Sequence, residues 1–425
     1  MLKNRLLGLA ACACLLAAGP VAAGEIDFDQ GFDLKRLVES LKAKAARETA
    51  GDKSRAASWT IMAYINAKNN LEKYALLNVN QMEMVGSSDK VKIAVELGRM
   101  SRYDSSDGGW KGERRYILEK DGDPGHISSP VLQKMSKADM GDWRHLVDFV
   151  QWAQAQAPAQ HYMLIVWNHG SGWTIQRQGE VVINGISYDD ETGNHMSTLD
   201  LGRALASIGK IDVYASDACL MQMAEVDYQI KEHADYIVGS EETEADEGYT
   251  YNTFLGPIVA RPSMSSADVA KLAVESYRSH YAQKGEGATQ SAVRSEVLSR
   301  LPALLNGWTK AIMAADEAGV VKEARSKTLR FADSDNKDLL DFVELVDKAS
   351  GSADVRRRGA ELQNLLGEGI IANGATGTDY ANAKGLAIYL PDSAYDSDYD
   401  SLAWAADAGW AKFVRWTLGR QASRE

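Results

Sequence analysis

Five short, largely apolar runs constrain this chain more than any other feature: Trp59–Ile65, Val91–Leu97, His161–Trp167, Ile211–Ser216 and Ala234–Gly239. Hydrophobicity that continues along a strand, where a half-exposed strand would alternate, means that both of its faces are covered. Most of the segments between the runs carry helical spacing, as in Asp142–Gln156, where Leu146, Phe149, Val150 and Trp152 share a face. Strands and helices joined alternately by short connections form a parallel sheet with helices on both sides. A chain of 425 residues, 45% hydrophobic, has the material for such a core.

Residues 58–256 therefore read as an α/β core, with a hairpin predicted in 98–130 around Arg114–Leu118. Residues 257–425 read as mainly helical, with Lys384–Pro391 as a final strand. Residues 24–57 read as an amphipathic helix and linker, because Phe32, Leu34, Leu37, Val38 and Leu41 fall at helical spacing. Before them, Lys3 and Arg5 precede an apolar stretch, Leu6–Ala18, and Val21-Ala22-Ala23 supplies small residues before Gly24. That is the pattern of a secretory signal peptide over 1–23, too short to span a bilayer. Leu9-Ala10-Ala11-Cys12 offers a rival, a lipid-modified Cys12, but the apolar stretch runs on past it.

Two strand ends carry chemistry. The run ending at Trp167 delivers Asn168-His169-Gly170-Ser171-Gly172-Trp173, and the run from Ile211 delivers Asp217-Ala218-Cys219. Sites in open α/β sheets collect outside the carboxyl ends of the strands, so His169 and Cys219 are expected on one rim. A helix predicted from Leu220 to Lys231 would put Cys219 at its positive end, which favours the thiolate. Loss of the leader also removes Cys12 and Cys14, leaving Cys219 as a lone thiol of an exported chain, which is either reactive or buried and inert.

Other chemistries are disfavoured. The net charge is −12, so nucleic acid and anionic membranes are poor partners and basic ligands good ones. The remaining histidines have no partner at metal spacing, so no metal site is expected. Asp333-Ser334-Asp335-Asn336-Lys337-Asp338 echoes a calcium loop but has Asp338 where the loop glycine belongs. Ser171 lacks the flanking pattern of a nucleophile elbow.

With these residues in hand, the chain resembles the clostripain family of cysteine peptidases, which share the caspase-like fold. The likeness rests on Trp59–Tyr64, Asn69-Asn70-Leu71-Glu72, Asn168–Trp173, Ser187–Asp190, Asp217–Met221, Gly239–Glu242, Gly248–Tyr251 and Gly385–Pro391. Ala67-Lys68 departs from it, since the family usually carries an acidic residue before the Asn-Asn pair. The 50 residues from His169 to Cys219 also match the spacing of about 50 known in caspases. The resemblance implies a caspase-like, mostly parallel sheet flanked by helices, with a helical C-terminal extension. It implies Cys219 as nucleophile, His169 as acid and base, and the N–H groups of Gly170 and Cys219 as oxyanion donors. It implies Asp217, with Glu247 and Ser240, in substrate binding, cleavage after Arg with Lys as the second basic candidate, and self-processing after Arg177. Calcium is a candidate cofactor by the same resemblance, and a monomer acting on protein or peptide substrates is expected. The competing reading is a catalytically silent caspase-like domain that serves as an envelope-associated binding protein.

Overall fold

The computed structural model describes residues 56–422 apart from 174–175, 179–180 and 184. The expected leader, Cys12 and all but the last two residues of the 24–57 segment lie outside the described residues. All five apolar runs are strands. The main sheet comprises β1 (Ala57–Ala67), β2 (Val91–Arg99), β3 (Gly112–Ile117), β4 (Gln133–Met135), β5 (Ala159–Trp167), β10 (Ile211–Asp217), β11 (Ala234–Gly239), β12 (Ser291–Arg294) and β14 (Ile370–Asn373). Their order across the sheet is β14-β12-β11-β10-β5-β1-β2-β3-β4. Strands β2, β1, β5, β10 and β11 are parallel, and antiparallel strands extend both edges. The chain leaves β1 for β2 on one side and returns to β5 on the other, so the strand order reverses between β1 and β5, where a ligand crevice forms in such sheets.

Alternation along each strand sends neighbouring side chains to opposite faces. From β1, Met62 and Tyr64 pack on one side with Leu146 and Phe149 of α2 (Trp143–Gln156) and Leu201 and Leu205 of α3 (Thr198–Ile208). Ile61 and Ile65 pack on the other with Val79 of α1 (Glu72–Glu83), Phe254 of α5 (Tyr251–Ala260) and Val269 of α6 (Ser266–Lys284). The predicted helix after Cys219 is shorter than expected: α4 spans Ala224–Ile230. Leu220 cannot open it, because its φ of 61 is left-handed, a strained state for a bulky residue.

The C-terminal half contributes more strand than its helical spacing indicates. β12 and β14 complete one edge of the sheet, and both are four residues long, too short for a periodic signal. The expected final strand, β15 (Ala387–Tyr389), pairs with β13 (Asn336–Asp338) in a separate ladder. Two hairpin ladders, β6 (Gln176–Gln178) with β7 (Val181–Ile183) and β8 (Ile186–Asp189) with β9 (Asn194–Met196), follow β5.

The loops after β5 and β10 meet backbone to backbone. A Cβ placed on Gly170 would lie 2.4 Å from the carbonyl oxygen of Cys219, which has no room to yield. Gly170→Ala must push the two loops apart; overpacking of this kind costs about 1–3 kcal/mol, so a thermal melt should fall by a few degrees, and an unchanged melt would mean the contact is looser than drawn.

Behind the site, Glu225 and Asp227 are buried without a cation. Glu225 accepts from Tyr389 N at 3.0 Å and Tyr399 Oη at 2.7 Å, and Asp227 from Gln222 Nε2 at 3.2 Å, while Glu225 Oε2 and Asp227 Oδ1 receive no donor. Burial pushes the Glu225 carboxyl up to about 7 and Asp227 well above the usual carboxylate range. Folding thus favours the protonated acids: the contribution of Glu225 is intact below the ordinary carboxyl range and is lost as pH rises through about 7. Melting curves at pH 5 and pH 8 should show Glu225→Gln losing less stability over that interval than the unaltered chain; equal losses would show that Glu225 does not titrate there.

Candidate functional site

The turn after β1 and the loops after β5 and β10 converge on a small cleft, closed on its far side by the loop after β11. It is lined by Leu71, Trp167, Asn168, His169, Asp217, Ala218, Cys219, Glu244, Ala245, Asp246 and Gly248. The structure thus brings His169, Cys219 and Asp217 together, as the strand ends foretold. Amide bonds hold the frame. Asn168 Oδ1 accepts from Tyr188 N at 2.7 Å, and its Nδ2 donates to Asn66 O at 2.5 Å. Asn69 Nδ2 donates to Tyr188 O at 2.9 Å, and Asn69 Oδ1 accepts from Leu71 N at 3.0 Å. The Asn69 amide thus ties the β1 turn, just before α1 begins at Glu72, to β8.

Lys68, the departure from the family pattern, lies beneath this frame. Its ammonium is fully buried among Glu113, Glu191 at 2.7 Å and Asp189 at 3.6 Å, and it donates to Ala138 O at 2.6 Å. A buried charge survives only when paired. Lys68 therefore anchors the end of β1 to β3 and to the loop after β8.

The Cys219 thiol is half-buried and receives the backbone N–H of Glu244 at 3.3 Å. Burial pushes its pKa up, and the Glu242 and Asp217 carboxylates add to the rise, against the lowering effect of the N–H bond. The helix-dipole expectation therefore fails: α4 begins five residues beyond Cys219 and is only about two turns long, and the resting group is a thiol. Across the cleft, His169 Nε2 lies 2.8 Å from Asn70 Oδ1. Burial lowers the pKa of His169, and Asp190 and Asp246 partly offset this.

Asp217 forms the cleft floor and is only 4% exposed. It accepts from Tyr251 Oη at 2.7 Å and from Tyr249 N at 3.2 Å. Glu244 meets it there, with Glu244 Oε1 accepting from Gln290 Nε2 at 3.0 Å and Glu244 Oε2 receiving no donor. Burial pushes Asp217 up to about 6 and holds Glu244 well above the usual range, each raising or steadying the other through a mutual hydrogen bond. Two acids so placed share one proton, Glu244 donating and Asp217 accepting. Gly248 permits the closure: a Cβ there would lie 2.4 Å from Asp217 Oδ1.

Two expected binding residues sit elsewhere. Glu247 turns away from the cleft to His280 at 3.3 Å and Lys284 at 3.2 Å, since successive loop residues point in different directions. Ser240 is buried behind the loop, donating to Glu242 O at 2.9 Å and meeting Thr289 Oγ1 at 2.9 Å, so it braces the loop and does not line the cleft. Arg177 lies in β6, and its side chain lies outside the described residues. Asn70 was not singled out from sequence, although it stands inside a stretch that carried the family likeness, and Glu244 belongs to the acidic 244–247 loop in which Glu247 was the expected partner.

No group of three or more His, Cys, Asp or Glu residues is arranged to hold a metal among the described residues. The loop that echoes a calcium site does not fit the ion. The Lys337 ammonium occupies its centre, donating to Ser334 O at 2.9 Å and Leu390 O at 2.8 Å, with Asp392 at 3.3 Å. An ammonium fixed on carbonyl oxygens takes the place that a hard cation would claim.

Comparison with known proteins agrees with this geometry. Clostripain from Hathewaya histolytica is 28% identical over 275 residues, which cover 60% of this chain and 51% of that protein, so the chain spans about half the length of that curated relative. A secreted C11 cysteine protease from Bacteroides thetaiotaomicron, solved with an irreversible peptide inhibitor, shares the fold with a TM-score of 0.65 at 22% identity, over 83% of this chain and 99% of its own. An inactive zymogen C11 protease from Parabacteroides distasonis does so with a TM-score of 0.64 at 21% identity, over 83% and 98%. The sequence profile of the clostripain family matches residues 63–416, and the chain belongs to that family of cysteine peptidases.

Proposed function

We propose that this chain is an exported endopeptidase that cleaves after arginine, with lysine as a poorer substrate, through Cys219 and His169. The observation that carries the specificity is the buried pair of acids, Asp217 and Glu244, on the floor of the cleft beside Cys219 with no cation bonded to either. A guanidinium entering the cleft would displace their shared proton and meet both carboxylates with its planar fork, which the point charge of an ammonium matches less well.

In the proposed reaction, His169 takes the thiol proton as the Cys219 sulfur attacks the carbonyl carbon, and gives that proton to the leaving amine. His169 then takes a proton from water as that water releases the acyl group from sulfur. The N–H groups of Cys219 and Gly170 are the proposed donors to the oxyanion, on the loops that Gly170 brings into contact. The cleft is small, about 40 Å³. A side chain as long as arginine enters only if the 243–248 loop moves. That need for opening supports a precursor activated by cleavage, and Arg177, in the segment that leaves the cleft wall after Trp173, is the proposed cut. Export is proposed from the 1–23 pattern; among the described residues no helix is long and apolar enough to cross a membrane. We keep 58–256 as the proposed catalytic core and 257–425 as its extension.

The direct test is hydrolysis of fluorogenic peptides with Arg, Lys, Asp, Asn or Leu before the reporter, by the full chain and by Cys219→Ala. Release from Arg that exceeds Lys and vanishes in the variant is expected, with two bands on a denaturing gel for the active chain and one for the variant. Release from no peptide, with an intact single band, would favour the silent-domain reading.

The acid pair makes a separate prediction. Because the guanidinium replaces a proton, KM for an Arg peptide should fall as pH rises past about 6, the value to which Asp217 is raised. Glu244→Gln should raise KM at least tenfold and remove that pH dependence, whereas Glu247→Gln should change KM less than twofold. The reverse ranking would return the specificity role to Glu247.

A further inference from the structure

His169 enters the cleft on the loop after β5, and one side chain outside that loop holds its ring. Its Nε2 lies 2.8 Å from Asn70 Oδ1. Asn70 is itself well placed, because its neighbour Asn69 bonds both Tyr188 O and Leu71 N and so fixes the turn. A neutral imidazole carries one proton, and the partner of one nitrogen decides the role of the other. An amide oxygen only accepts. With Nε2–H donating to Asn70, Nδ1 is the nitrogen left to exchange protons in the cleft.

We propose that Asn70 is a positioning residue for the reaction above, locking His169 as the Nε2–H tautomer and aiming Nδ1 at the reacting groups. The inference rests on His169 being the acid and base of that reaction. In acylation, Nδ1 takes the thiol proton as the sulfur–carbon bond forms, and passes it to the leaving nitrogen as the carbon–nitrogen bond breaks. In deacylation, Nδ1 takes a proton from water, the water oxygen bonds to the acyl carbon, and the carbon–sulfur bond breaks to release the thiolate. The proton on Nε2 stays with Asn70 in both steps. Asn70 also faces the imidazolium whenever it forms, and an accepting oxygen there favours that cation.

The charged and titratable groups around His169 are Asp190 after β8, Asp246 and Glu244 in the loop after β11, and Asp217 and Cys219 after β10. Asp190 and Asp246 already favour the cation, against the burial of the ring. A carboxylate in place of Asn70 would still accept from Nε2–H and would favour the cation further.

The experiment compares Asn70→Ala, Asn70→Asp and His169→Ala in the full chain, as kcat and KM for an Arg peptide amide from pH 5 to 9. General acid–base catalysis contributes about a hundredfold or more. Asn70→Ala, which frees the ring without removing it, should lower kcat ten- to hundredfold with KM changed less than twofold. Asn70→Asp should restore kcat to within about fivefold of the unaltered chain, with the limb that reports His169 displaced upward by about one pH unit or more, as expected for a new charge beside it. Asn70→Ala within twofold of the unaltered chain, beside an inactive His169→Ala, would overturn the positioning role alone. Asn70→Asp as damaged as Asn70→Ala would overturn it too, since the amide nitrogen would then have been the group facing the ring. An active His169→Ala would instead bring down the reading of the site on which the inference rests.

Discussion

Two carboxyl groups forced into one dry place govern this site. Asp217 and Glu244 reach the same buried floor from the ends of different strands, and among the described residues neither finds a lysine or arginine there. Full ionisation of both would set like charges together away from water, so the pair retains a proton. The surrounding structure accommodates that one constraint. Tyr251 and the Tyr249 N–H donate to Asp217, Gln290 donates to Glu244, and Gly248 lets the loop close over the carboxylate. What such a pocket lacks is a cation of the right shape.

The scaffold shows the opposite arrangement where charge has a structural purpose. Lys68 and Lys337 are buried as deeply as the acids, but each ammonium is surrounded by oxygen. Lys68 pins the end of β1 below the Asn69-Asn70 turn, and Lys337 fills the loop that resembles a calcium site. In each place the chain supplies its own cation, and the fold is complete. At Asp217 and Glu244 it does not. The contrast is consistent with the proposed role of Asp217 and Glu244 as the seat of a cationic side chain.

Much of this was legible in the sequence, for a physical reason. Strands covered on both faces write themselves as apolar runs, and a parallel sheet sends their carboxyl ends to one rim, so His169, Asp217 and Cys219 could be brought together from spacing alone. What failed depended on direction within loops. Glu247 stands beside Gly248-Tyr249 in the chain but points to His280 and Lys284, while Glu244, three residues earlier, turns inward. The helix expected at Leu220 begins at Ala224 because Leu220 has left-handed backbone, which no periodicity reveals. Asn70 was not singled out because nothing in the sequence distinguishes a turn amide from one that meets a ring. β12 and β14 were missed because four residues are too few to show a period.

The raised pKa of the Cys219 thiol then takes on a role. Burial accounts for most of the rise, but the Glu242 and Asp217 carboxylates contribute, and Asp217 is also the proposed seat of the substrate's guanidinium. A cation seated on Asp217 cancels that carboxylate's field at the sulfur, and a neighbouring positive charge favours a thiolate. On the proposed reading, the side chain that satisfies the pocket also eases ionisation of the group that attacks it. A peptide with leucine in that place would leave the acids unpaired and the sulfur protonated. Discrimination would then fall on kcat as well as on KM, which is where binding energy serves catalysis best. A sulfur that a short helix's dipole does not activate is, by this route, reserved for the substrate that carries its own charge.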